Sequence, residues 1–112
     1  MGNLLKKWTL QSVDLPGMNI DPDSIVVGGY SCGSNLAQNM IIIESDEIKG
    51  AALFNGFSTY GGWADATTTA AQITERVNLI NSQYSEGKID NPSNLATAPI
   101  YIFRGDQDPF PQ

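Results

Sequence analysis

The sequence contains no histidine. That absence removes the side chain whose ordinary pKa lies nearest neutrality, and with it both the usual general base of a nucleophilic enzyme and the histidine-based zinc spacings. Cysteine is nearly as scarce. Cys32 stands alone, so there is no disulfide framework, and composition leaves the redox compartment open. Positive charge is thin: six Lys and Arg face twelve Asp and Glu, for a net charge of −6. With no basic cluster, neither nucleic acid nor an anionic membrane surface suits this chain as a partner. No apolar run approaches the roughly 20 residues of a membrane span. Lys6 and Lys7 are not followed by a long apolar segment, so the stretch Met1 to Leu10 does not read as a signal peptide.

What is present fits one domain at most, since 112 residues leave no room for a second core. The apolar residues, 41% of the chain, fall in runs, which marks it as globular. Internal repeats and low-complexity segments are absent. Asn3 to Leu10 predicts a short helix with Leu4, Leu5 and Trp8 on one face. Pro16-Gly17 breaks the chain, and Asp21-Pro22-Asp23-Ser24 forms a turn. Two aspartates there invite a calcium reading, but the later Gly and Glu of a calcium loop are missing, so turn chemistry accounts for them. Ile25 to Val27 then reads as a strand and Ile48 to Phe54 as a second. Leu36, Met40 and Ile43, with Ala37 and Ile41, trace a buried helix between them. Asn55 to Ala66 is a Gly-rich loop carrying Phe57, Tyr60 and Trp63, either tucked onto the body or facing a substrate. Ala70, Ile73, Val77, Ile80 and Tyr84 trace an amphipathic helix stopped by Gly87. Asp90 to Asn94 is loop, and Ile100 to Phe103 is a third strand. Near-continuous apolar strands separated by helices predict an α/β fold with a parallel sheet covered on both faces.

Between the first strand and the helix after it lies Gly29-Tyr30-Ser31-Cys32-Gly33. This is the Gly-x-Ser-x-Gly spacing of a nucleophile elbow, in which the serine stands on a sharp strand-to-helix turn. Small flanking residues are needed for the two elements to approach so closely. The spacing alone is weak, occurring by composition in about 4 of 100 chains of this length. Strand before and helix after supply the context that gives it meaning.

On such a fold the triad follows the chain order Ser, Asp or Glu, His. Ser31 is then the candidate nucleophile. The candidate acid lies in the loop after Ile100–Phe103, where Asp106 and Asp108 compete. The backbone N–H of Cys32, next after the nucleophile, is the candidate oxyanion donor. The Cys32 thiol itself is off the centre of the glycine frame and has no base, so it reads as packed or inert. Arg104-Gly105-Asp106 directly follows a strand and does not read as an adhesion motif.

Five blocks resemble the extracellular polyhydroxybutyrate depolymerase and related esterase family: Leu15 to Pro22, Gly29 to Gly33, Ile48 to Gly56, Gly87 to Leu95, and Ile100 to Asp108. The resemblance spans most of the chain. It implies an α/β-hydrolase core, hydrolysis of an ester or polyester through an acyl-serine, no cofactor, and secretion. It favours Asp108 over Asp106 as the acid, beside Ser31. Members of that family carry a histidine after the acid, and before the elbow they carry further strands and the loop that gives a second oxyanion donor. The 112 residues therefore correspond to the middle of such a domain: a partial α/β-hydrolase core with a three-stranded parallel sheet and flanking helices, expected to be inactive alone. The competing readings are a non-catalytic remnant or binding module of the same fold, and another α/β-hydrolase such as a feruloyl esterase or serine peptidase.

Overall fold

The computed structural model describes residues 13–56, 60–61 and 69–108. Five regular elements follow in order: β1 Val26–Tyr30, α1 Cys32–Ile43, β2 Gly50–Phe54, α2 Ala70–Ser85 and β3 Ile100–Phe103. Short 3-10 turns at Pro22–Ser24 and Pro92–Ala96 lead into β1 and β3. The strands form one parallel sheet in the order β1-β2-β3, with Val26 opposite Gly50 and Ala51 opposite Ile100. The predicted parallel α/β arrangement is therefore what the chain adopts. The helix expected over Asn3 to Leu10 lies outside the described residues.

Register and pleat sort the side chains. Val27, Ala51, Leu53, Ile100 and Ile102 share one face, while Val26, Tyr30, Phe54, Tyr101 and Phe103 share the other. The first face meets α1, and its core joins Ala51 and Leu53 to Ala37, Ile41 and Ile42 of α1, with Ile48, Tyr60 and Ile89. Helix α2 packs at the periphery on the Pro92–Ala96 turn, sending Leu79 and Ile80 into the same core while burying no residue fully. Both helices feed this one core, α1 through Ala37, Ile41 and Ile42 and α2 through Leu79 and Ile80, so they lie on the same side of the sheet. Among the described residues nothing covers the other face, where Val26 and Tyr30 are 68% and 69% exposed.

Three expectations are revised by the structure. Strand β1 does not stop at Val27: it runs through Gly28 and Gly29 to Tyr30, because the pairing with β2 continues to Phe54. Helix α1 is not buried all round: Ala37, Ile41 and Ile42 are buried, but Leu36 and Met40 are exposed, since the helix has the sheet on one side only. Among the described residues the sheet is covered on one face rather than two, and that cover lies over β1 and β2: Ile100 and Ile102 of β3, on the same face, stay exposed. The Asp21–Ser24 turn is as read. Asp21 Oδ1 accepts the Asp23 N–H and Oδ2 accepts the Ser24 hydroxyl, bonds that hold its carboxyl below the usual aspartate range.

Candidate functional site

Parallel strands deliver their carboxyl ends to one edge of the sheet, where open α/β folds place ligands. Ser31 follows β1 there, Asn55 follows β2, and the Gly105–Asp108 segment follows β3 by one residue. Ser31 has φ 56° and ψ −119°, a conformation that costs a non-glycine residue on the order of 1–3 kcal/mol. The turn is held from several directions. The Ser31 N–H donates to Phe54 O at 2.9 Å, and the Ser31 carbonyl accepts the Ser34 and Asn35 N–H groups at 3.0 and 3.2 Å. Its Oγ makes no capping bond to α1, although Ser31 is the N-cap residue. A capping position normally spends its side chain on the helix, and the Ser31 hydroxyl does not.

The glycine frame explains the sharpness of the bend. A Cβ on Gly29 would sit 2.1 Å from the Gly33 carbonyl oxygen and 2.7 Å from the Ser34 nitrogen. Strand and returning helix thus touch backbone to backbone. At Gly33 a Cβ would meet nothing among the described residues outside its own helix.

Beyond β3, the Asp108 N–H donates to Gly105 O at 3.1 Å, closing a four-residue turn. This turn faces Ser31 across a cleft of about 310 Å³ lined by Tyr30, Ser31, Asn55, Gly105, Asp106, Gln107 and Asp108. That volume lies at the lower end of the roughly 300–1,000 Å³ of small-molecule pockets. The two candidate acids are not separated: Asp106 and Asp108 both line the cleft. Cys32 opens α1 beside it. Its N–H belongs to the first turn, where a helix has no internal acceptor, at the end that carries about half a positive charge. The thiol is exposed.

Asn55, the first residue of the loop read as either tucked or substrate-facing, lines the cleft without having been singled out as a site residue. It has φ 49°, its N–H donates to Phe103 O at 2.8 Å, and its Oδ1 accepts the Gly105 N–H at 3.1 Å. The available signal was an asparagine between a strand and Gly56, since asparagine enters the left-handed region more readily than other non-glycine residues. Of the loop aromatics, Tyr60 is tucked onto the body rather than facing the cleft. It is buried, its hydroxyl donates to Gln83 Oε1, and burial pushes its pKa up. Phe57 and Trp63 lie outside the described residues. Among the described residues no group of three His, Cys, Asp or Glu is placed to hold a metal ion, and no helix is long and apolar enough to cross a membrane.

Chemically, the arrangement offers a hydroxyl on a strained bend, a helix-terminal N–H beside it and carboxylates across a small cleft. It offers no histidine, the side chain whose ordinary pKa lies nearest neutrality. No protein-family model matches the chain, and no curated protein or solved structure matches it either.

Proposed function

We propose that this chain carries the nucleophile and the acid of a serine carboxylic-ester hydrolase of the α/β-hydrolase kind, akin to polyhydroxybutyrate depolymerases. The observation that supports it most is Ser31 itself: a strained residue between strand and helix, its Oγ making no capping bond to α1, with the Asp108 turn across the same cleft. In this reading Ser31 Oγ attacks the acyl carbonyl carbon, and the Cys32 N–H donates to the oxygen as it becomes an oxyanion. Collapse expels the alcohol and leaves an acyl-serine, which water then cleaves to the free acid. One such donor is worth roughly 2.7–4 kcal/mol in the transition state. Asp108 orients a base and stabilises its protonated form. That base is supplied from outside these 112 residues, which contain no histidine. The missing base also favours a second reading, in which the fold is kept as a non-catalytic module.

Removing the base from a serine triad costs up to about a millionfold in turnover. The chain alone is therefore expected to hydrolyse 4-nitrophenyl butyrate no faster than its Ser31→Ala variant. With imidazole added as a diffusible base, a fluorophosphonate probe is expected to label Ser31, as located by peptide mass spectrometry. Ser31-dependent turnover without any base refutes the division of labour. Failure of imidazole to direct label to Ser31 favours the non-catalytic module.

A further inference from the structure

The Gly105–Asp108 turn has to be placed by something. Ordering a residue costs about 1–2 kcal/mol in conformational entropy, and the backbone bond that closes a four-residue turn does not by itself fix where the turn sits on the sheet edge. At the strand ends the ladder steps outward residue by residue: Ser31 N–H to Phe54 O, then Asn55 N–H to Phe103 O. At Gly105 the backbone partner is replaced by a side chain, Asn55 Oδ1. The acceptor comes from 50 residues away in sequence, so this is no local turn motif. Both residues are half-buried, and an anchor there is less exposed to competition from water. The bond continues inward, because the carbonyl of Gly105 accepts the Asp108 N–H.

Two properties coincide at one position. The backbone of Asn55 is left-handed at φ 49°, which glycine would satisfy at least as well. Glycine offers no acceptor. Asparagine meets both demands. We propose that Asn55 is a positioning residue that anchors the Gly105–Asp108 turn and thereby sets Asp108 across the cleft from Ser31. The role in catalysis rests on Asp108 being the acid of the site; the anchoring does not.

The test uses the full chain and two variants. Asn55→Gly keeps the left-handed backbone and removes the acceptor, whereas Asn55→Asp keeps both. A nitroxide on the exposed Cys32, next to Ser31, serves as a distance probe through its broadening of the Asp108 amide resonance. Exchange of the Gly105 amide reports the anchor directly. In about 0.15 M salt, which limits the effect of the added charge, Asn55→Gly is expected to speed Gly105 exchange by about three- to tenfold, the range for one net hydrogen bond. It should also weaken the broadening at Asp108, while Asn55→Asp restores both and the amides of Ala51, Ala52 and Leu53 stay as in the parent chain. Unchanged exchange and broadening in Asn55→Gly, or no restoration by Asn55→Asp, overturns the proposal. Imidazole-dependent labelling of Ser31 separates the two levels: labelling with a failed anchor leaves the esterase reading standing, and an intact anchor without labelling does the reverse.

Discussion

At the scale of single residues, the two motif glycines are chemically alike and structurally unequal. A methyl group at Gly29 collides with the backbone of Gly33 and Ser34, and backbone cannot step aside as a side-chain tip can. Gly29→Ala is expected to cost about 3 kcal/mol or more, or to abolish folding, in urea titration. Gly33→Ala meets nothing among the described residues outside α1 and adds helix propensity, so a gain of about 0.5 kcal/mol is expected in the same titration. Equal losses at both sites contradict the close approach described for Gly29. Ser31 invites a complementary change. Its conformation is one that glycine adopts freely, so Ser31→Gly should leave stability unchanged or raise it by roughly 1 kcal/mol, where serine-to-glycine elsewhere in a regular element lowers it. The spacing of the three residues encodes steric demand and was legible in the sequence for that reason. Which glycine bears the demand depends on the return path of α1, which no spacing states.

Among the elements, α2 was legible almost to the residue, because its limits are written locally. Thr69 accepts the Gln72 N–H while the Gln72 side chain accepts the Thr69 N–H, a reciprocal cap. At the other end Gly87 takes φ +73° just past the helix. Since α2 buries no residue fully, little tertiary packing compensates for a lost cap. Thr69→Ala is expected to cost about 1 kcal/mol, read as faster amide exchange over the first turn of α2 with β2 unaffected. The turn before β1 gives a pH prediction. Hydrogen bonds from the Asp23 N–H and the Ser24 hydroxyl hold the Asp21 pKa down in the folded chain. A depressed folded value means that the stabilisation is present above the ordinary aspartate pKa and is lost as pH falls through the lower folded one. The thermal midpoint of the parent chain should therefore drop more steeply with acid than that of Asp21→Asn. Parallel curves for the two proteins rule that coupling out. The link from Asn55 to Gly105 was illegible by contrast, since its partners are brought together only when β2 and β3 pair.

For the whole molecule, alternating strands and helices made the parallel sheet legible, while its one-sidedness follows from topology: strands added in one direction keep their helices on one face. The consequence, among the described residues, is an apolar sheet face whose strands carry no charge. On the open face, Phe54 lies 5.8 Å from Tyr101 and 6.2 Å from Phe103, ring centre to ring centre. All four residues of the edge strand β3, Ile-Tyr-Ile-Phe, are exposed. Natural edge strands are usually blunted by a lysine, a proline or a bulge, because an unpaired row of N–H and C=O groups is a template for another chain. Neither β1 nor β3 carries a charged residue or a proline. The described fold is therefore expected to self-associate at micromolar concentrations and above, as exposed apolar strands do. Ile102 is the place to test this: it is 69% exposed, so Ile102→Lys should change stability by no more than about 0.5 kcal/mol while putting a charge on the edge. Sedimentation velocity should show a concentration-dependent rise in mass for the parent chain and a smaller one for the variant at matched stability. A monodisperse parent chain, or association indifferent to the lysine, means that this edge does not govern assembly.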